Sequence, residues 1–191
     1  IRTALAAHGT TTLSYGDPRG ELPLREALAR FVAQTRSLPC TPDEILVTRG
    51  SQMALFLTAR SVLRPGDPVA VEAMGYRPAW EALKLAGAAL VPVRVDAGGL
   101  DVDALEQALA ITPIRAVYVT PHHQYPTTVA LAPARRRRLL ALAAKHDFVV
   151  LEDDYDHEFH YEGRPLAPLA SLDEAGGVLY FGTLSKVVAP G

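Results

Sequence analysis

Three short stretches combine residue types that can do chemistry. The first is Thr183-Leu184-Ser185-Lys186, directly after the apolar run Val178–Gly182. An amine at the end of a buried strand loses solvation, which lowers its pKa and leaves more of it neutral and able to attack an aldehyde. A surface lysine beside two hydroxyl residues is the ordinary reading of the same four residues. The second stretch is Asp153-Asp154-Tyr155-Asp156-His157-Glu158-Phe159-His160-Tyr161, after the run Phe148–Glu152. A carboxylate leaving a buried strand is costly unless paired, so Asp153 is expected to meet a cationic or hydrogen-bonding partner. A protonated pyridine nitrogen is one such partner. A metal ion is another, given the carboxylates and histidines nearby. Against the metal, His157 and His160 are spaced as on a helix while the surrounding pattern is a strand end; a solvated loop is the plainer alternative, and no metal ligand is assigned. The third stretch, Arg49-Gly50-Ser51-Gln52, opens a helical pattern. Gly50 permits a tight turn, Ser51 can cap, and the first free N–H groups of the helix suit an anion such as a phosphate. A plain strand–turn–helix cap would look the same.

These stretches need a scaffold, and the chain from about Leu22 supplies one by alternating two periodicities. Leu24, Ala27, Leu28, Phe31 and Val32 recur at helical spacing behind Pro23, a good first-turn residue. Short β-rich runs follow at Ile45–Thr48, Pro68–Glu72, Ala89–Val93, Arg115–Thr120, Phe148–Glu152 and Val178–Gly182. Helical patterns lie between most of them, over about Gln52–Leu63, Pro78–Ala86, Val102–Ala110 and Pro133–Lys145. This alternation predicts an α/β fold with parallel strands, each short enough to be buried on both faces. In such sheets ligands bind beyond the carboxyl ends of the strands, where the strand order reverses. All three stretches stand at such ends.

Composition narrows the classes. The 191 residues are 49% apolar with a formal net charge of −2. That suffices for one domain with a sizeable core and gives no electrostatic reason for this segment to bind nucleic acid or membranes. Cys40 is the sole cysteine, so there is no intrachain disulfide and no thiolate cluster, and a reducing, cytoplasmic setting fits best. No apolar run approaches the roughly 18–20 residues of a membrane span. The chain opens at Ile1 without Met and stops at Ala189-Pro190-Gly191, so it is expected to be part of something longer.

The motifs in order resemble one family. Tyr180–Gly191 (Tyr-Phe-Gly-Thr-Leu-Ser-Lys-Val-Val-Ala-Pro-Gly) resembles the lysine segment of fold type I aminotransferase-like proteins. Glu152–Gly163 with Arg164-Pro165-Leu166 resembles the aspartate segment of the MocR-type branch of the GntR regulators, and Tyr15-Gly-Asp-Pro-Arg-Gly20, Leu24-Arg25 and Thr48-Arg-Gly-Ser-Gln52 resemble other segments of the same group. The resemblance runs from about Tyr15 to Gly191. It implies a three-layer αβα large domain with a mostly parallel sheet over 21–191, incomplete, preceded by an arm or linker remnant over 1–20. It also implies pyridoxal 5'-phosphate as cofactor. By resemblance Lys186 forms the Schiff base, Asp153 keeps the pyridine nitrogen protonated so that the ring acts as an electron sink, and Tyr155 bonds the ring 3-hydroxyl. Gly50, Ser51 and Gln52 form a phosphate cup closed by Thr183 and Ser185. Tyr76 stacks on the ring, or is merely a half-buried tyrosine at a helix start. Tyr15 reaches the phosphate of a neighbouring subunit, which implies a homodimer with shared active sites. Regulators of this branch carry a winged helix-turn-helix DNA-binding domain, here expected before Ile1, and respond to a small amino compound. The alternative is a free-standing aminotransferase acting on amino acids.

This chain departs from the family pattern at Tyr125-Pro126-Thr127-Thr128, where many relatives have Asn-Pro-Thr-Gly. Tyr125 fits the MocR-type branch and is expected near the cofactor; Thr128 stands where a glycine would permit unusual backbone angles. On the same loop His123 or Gln124 is expected to touch ligand. Arg135–Arg138 points all round a helix and reads as a solvated, partly ion-paired surface. Trp80 reads as core packing and Cys40 as inert.

Overall fold

The computed structural model describes residues 15–159 and 166–187. His160, the 161–165 part of the aspartate motif, the 188–191 end of the lysine motif and residues 1–14 of the arm lie outside the described residues. The chain divides into two compact units, Ile1–Thr48 and Arg49–Gly191.

In the first unit helix α1 spans Leu22–Arg36, with Pro23 in its first turn and Ser37 ending it in the left-handed region. Arg25 is buried. Its guanidinium donates to the carbonyls of Gly20 at 2.9 Å and Pro42 at 2.7 Å and pairs with Asp17 at 3.1 Å. The Tyr15–Gly20 and Leu24-Arg25 motifs are thereby tied to a 3-10 turn over Pro42–Glu44. The strand expected at Ile45–Thr48 does not form. There the Val47 N–H donates to the Arg19 carbonyl at 2.8 Å, in place of a ladder. β-rich composition makes a strand only where a neighbouring strand accepts its bonds.

The second unit is built on five strands: β1 Pro68–Glu72, β2 Ala89–Val93, β5 Ala116–Val119, β6 Val149–Asp154 and β7 Val178–Gly182. They form one parallel sheet in the order β2-β1-β5-β6-β7. A small antiparallel hairpin, β3 Val95–Asp96 with β4 Gly99–Leu100, has no counterpart in the sequence pattern; two residues per strand are too few for a periodicity. Helices α2 Ser51–Val62, α3 Arg77–Leu85, α4 Val102–Ile111 and α5 Pro133–His146 fall within a residue or so of their sequence-predicted bounds. Alternate strand residues face opposite ways and build two cores. Val69, Val71, Ala116, Tyr118 and Leu151 pack with Leu55 and Ala59 of α2 and Ala79, Ala82 and Leu83 of α3. Ala70, Val117, Val119 and Val150 pack with Leu105 of α4 and Leu139 and Leu142 of α5. Three layers, αβα, follow directly. Burial on both faces holds for β1, β5 and β6 but not for β2 and β7, the edges among the described strands. After β2 the chain crosses to the far side of β1, so the order reverses between β1 and β5.

Candidate active site

The crevice expected at that reversal is lined by Glu72, at the end of β1, and Thr120, just past β5. The Thr120 hydroxyl donates to Glu72 Oε2 at 2.7 Å, and Gln124 Nε2 donates to the same oxygen at 3.3 Å. Gln124 Nε2 also donates to the Met74 carbonyl at 2.7 Å, and its Oε1 accepts the Thr127 hydroxyl at 2.6 Å. Burial pushes the Glu72 carboxyl up to about 7, against the lowering effect of these donors. Gln124 is therefore occupied as the hub of its loop, and the ligand contact expected of it finds no free amide. His123 Nδ1 lies 3.0 Å from Asp156 Oδ1.

Asp153 sits one strand over. It lies on β6 rather than after it, because β6 runs two residues beyond the apolar pattern. Its carboxylate is 5% exposed and accepts a 2.7 Å hydrogen bond from the Tyr118 hydroxyl, a partner that the sequence requires but does not identify. Desolvation raises its pKa to about 6 even so. Tyr118 is the residue most clearly missed; the available signal is a phenol inside the otherwise aliphatic run Ala116–Val119, on the same strand face as Asp153 by register. Burial and the neighbouring carboxylates also hold the Tyr155 phenol above its ordinary range.

Three sequence-predicted tyrosines meet here. The Tyr76 ring, at the N-cap of α3, lies edge-on to Tyr125 at 5.6 Å between centroids, and Tyr125 lies edge-on to Tyr155 at 6.4 Å. The loop carrying Tyr125 places Thr128 at φ 61°, a left-handed angle that favours glycine and is adopted here by a β-branched residue. At the start of α2, Gly50 and not Ser51 is the N-cap, with φ 83°, and no side chain caps the helix. Ser51 and Gln52 thus sit in the first turn, among outward-facing N–H groups suited to an anion.

The lysine loop differs from expectation. Thr183 Oγ1 and Ser185 Oγ lie 2.9 Å apart, and Ser185 N–H donates to Thr183 Oγ1 at 3.2 Å, forming a compact turn. Lys186 itself is exposed, not desolvated. The physical reason is its strand: β7 pairs only with β6 among the described strands and buries few of its own residues. Tyr15 is also fully exposed, in the other unit. Arg135 and Arg138 form surface ion pairs with Asp96, Asp103 and Glu106, as expected. Arg136 is the exception: it is buried and donates to the carbonyls of Leu131, Pro121 and Ala167 at 2.9, 2.6 and 2.7 Å, bracing the loop after β5. Trp80 packs against the core beside α2 and α3, and burial pushes the Cys40 thiol up.

Comparison with known proteins bears on this arrangement. A family model described as aminotransferase class I and II matches residues 1–189. The aromatic-amino-acid aminotransferase 1 of Thermococcus litoralis is 38% identical over 195 residues, covering 100% of this chain and 47% of that protein. The "Probable rhizopine catabolism regulatory protein MocR" of Rhizobium meliloti is 37% identical over 175 residues, covering 92% of this chain and 34% of that protein. The crystal structure of LysN, the alpha-aminoadipate aminotransferase of Thermus thermophilus, complexed with N-(5'-phosphopyridoxyl)-L-leucine, superposes with a TM-score of 0.87. It is 35% identical, over 99% of this chain and 49% of that one. The chain spans half or less of the length of each.

Proposed function

Since this chain belongs to the class I and II aminotransferase family, whose cofactor is pyridoxal phosphate, we propose that it is the cofactor-binding core of a MocR-type transcriptional regulator. The observation that carries the cofactor assignment is Asp153: a buried carboxylate at the carboxyl end of a central strand, braced by Tyr118 and beside a row of aromatic rings. Such a group calls for a cationic N–H partner, and a flat protonated pyridine supplies one.

Bound there, the cofactor supplies an aldehyde that condenses with amines and a ring that takes up electrons. The residues of this chain divide the remaining work. Asp153 holds the proton on the ring nitrogen. Tyr155, kept protonated by its surroundings, donates a hydrogen bond to the ring hydroxyl. Tyr76 and Tyr125 exclude water from the ring face. Gly50, Ser51 and Gln52 bind the phosphate through the start of α2, with the Thr183 and Ser185 hydroxyls on the lysine side. Lys186 would hold the cofactor through its amine and would take and return a proton there.

The regulator reading rests on the wording of the aspartate motif and on Tyr125 in place of an asparagine. It assigns residues 21–191 to the large domain, with residues 1–20 as an arm, a homodimer in which Tyr15 serves the partner's phosphate, and a cytoplasmic setting. DNA is then reached through a winged helix-turn-helix outside this chain. No helix of the described residues is long and apolar enough to cross a membrane. A free-standing aminotransferase is the second reading, favoured by the likeness to the Thermococcus enzyme along the whole of this chain.

Absorbance of the full-length protein with pyridoxal phosphate, before and after borohydride, tests the proposal. Wild type is expected to form a borohydride-trapped adduct that Lys186→Ala loses entirely. The melting temperature of the variant should hardly move, since an exposed side chain is worth within about 0.5 kcal/mol. Equal trapping in both proteins would sink the assignment of Lys186. Candidate amines added to the wild-type adduct before trapping then separate turnover from sensing.

A further inference from the structure

On the face of the sheet opposite Asp153 lies a second cluster that the cofactor does not use. Strand alternation turns Asp154, the last residue of β6, away from Tyr118 and toward His157, three residues on, and His122, from the loop after β5. One donor atom from each of His122, Asp154 and His157 lies within 4.8 Å of the others, and all three residues are buried. The two imidazole rings are 4.7 Å apart between centroids.

Asp154 is the informative member. Its Oδ2 accepts the Tyr180 hydroxyl at 2.8 Å and lies 2.6 Å from His157 Nδ1. Its Oδ1 is buried with no hydrogen-bond partner among the described residues. A carboxylate oxygen shut away from water needs a donor or a cation. We propose that His122, Asp154 and His157 bind a divalent transition-metal ion of the zinc type, with Asp154 Oδ1 facing the ion.

The donor chemistry selects the class of ion. Two imidazoles and one carboxylate, without thiolate, suit Zn(II) or Co(II) better than the all-oxygen ions Mg(II) and Ca(II) or the thiophilic Cu(I). Tetrahedral bonds of about 2.0–2.1 Å place ligand atoms about 3.3 Å apart, so the cluster closes on an ion by side-chain rotations of under about 1 Å. A fourth position remains for water. Tyr180 supplies the outer hydrogen bond that orients the carboxylate. The ion would pin the loop after β5, which carries Tyr125, to the end of β6, which carries Asp153 and leads into Tyr155. Its role is then structural, on the back of the cofactor site.

The test uses full-length protein stripped with a chelator and titrated, without pyridoxal phosphate, with Zn(II) and separately with Co(II). One Zn(II) per chain and a visible Co(II) absorption of low-coordinate nitrogen–oxygen type are expected. His157→Ala and His122→Ala should each weaken Zn(II) binding by about 100-fold or more, and Asp154→Asn, which keeps the side-chain shape, should do the same. His146→Ala, at the end of α5 and outside the cluster, should bind as wild type does. Failure of the wild type to take up either ion overturns the proposal, whatever the variants do. So does Zn(II) uptake that survives Asp154→Asn unchanged in a protein with wild-type circular dichroism.

Discussion

The ends of β1, β5 and β6 and the loop after β7 lie along one rim of one sheet, yet they are held in different ways. At the first, Glu72, Thr120, Gln124, Tyr118 and Asp153 are buried and satisfy one another through hydrogen bonds. At the second, two hydroxyls fold a short turn and leave Lys186 in solvent. The ring-holding half of the proposed site is thus built within this chain, and the tethering half is only aimed by it. Strand position accounts for the contrast: β5 and β6 are flanked on both sides, and β7 pairs only with β6 among the described strands.

The largest effect that would test this contrast is on stability, at Glu72. Glu72→Ala leaves the buried Thr120 hydroxyl without its acceptor, while Gln124 keeps the Met74 carbonyl, and should cost about 2–3 kcal/mol in denaturant unfolding. A cost near that of a surface substitution would show that the β1–β5 crevice is wetter than its geometry implies. The same residue makes a pH signature. Its folded-state pKa, about 7, lies above the ordinary 4.5, so the fold is favoured while Glu72 is protonated. The contribution is fully present below about 4.5 and is lost as the pH rises through about 7. Glu72→Gln should flatten that part of the stability–pH curve; an unchanged slope would assign it elsewhere, with Glu152, also pushed up to about 7, the first alternative. Tyr118→Phe should cost less, about 1–2 kcal/mol, by removing the bond that Asp153 accepts, and should weaken pyridoxal phosphate retention along with stability. Loss of stability with retention unchanged would separate Asp153 from the cofactor. The smallest effect is a gain. Thr128→Gly relieves a left-handed β-branched residue at φ 61° and should stabilise by about 0.5–1 kcal/mol after the chain-entropy cost of glycine.

Much of the fold is legible because the strands and helices differ in period. β1, β2 and β7 match their expected bounds, and the helices lie close to theirs. The failures are instructive. Ile45–Thr48 has strand composition without a strand partner, and partnership is not a local property. β6 outruns its apolar pattern because Asp153 and Asp154 are paired by the backbone of β7 whatever their side chains. At the candidate site, positions set by the backbone are readable: the turn at Gly50 and the strand end at Asp153. The residues that act through a side-chain partner far away in sequence are not. Tyr118 is 35 residues from Asp153, and Glu72 is 48 from Thr120. Exposure of Lys186 escapes the sequence for a related reason: an apolar run does not say whether its strand is central or at an edge.

The β6–β7 ladder sets Asp153 against Phe181 and Asp154 against Gly182. Two identical side chains, adjacent in sequence, are thereby assigned to opposite faces and to different hydrogen-bond partners by nothing more than parity. Loss or gain of one residue within β6 ahead of Asp153 would keep an aspartate at the strand end and still interchange the two faces.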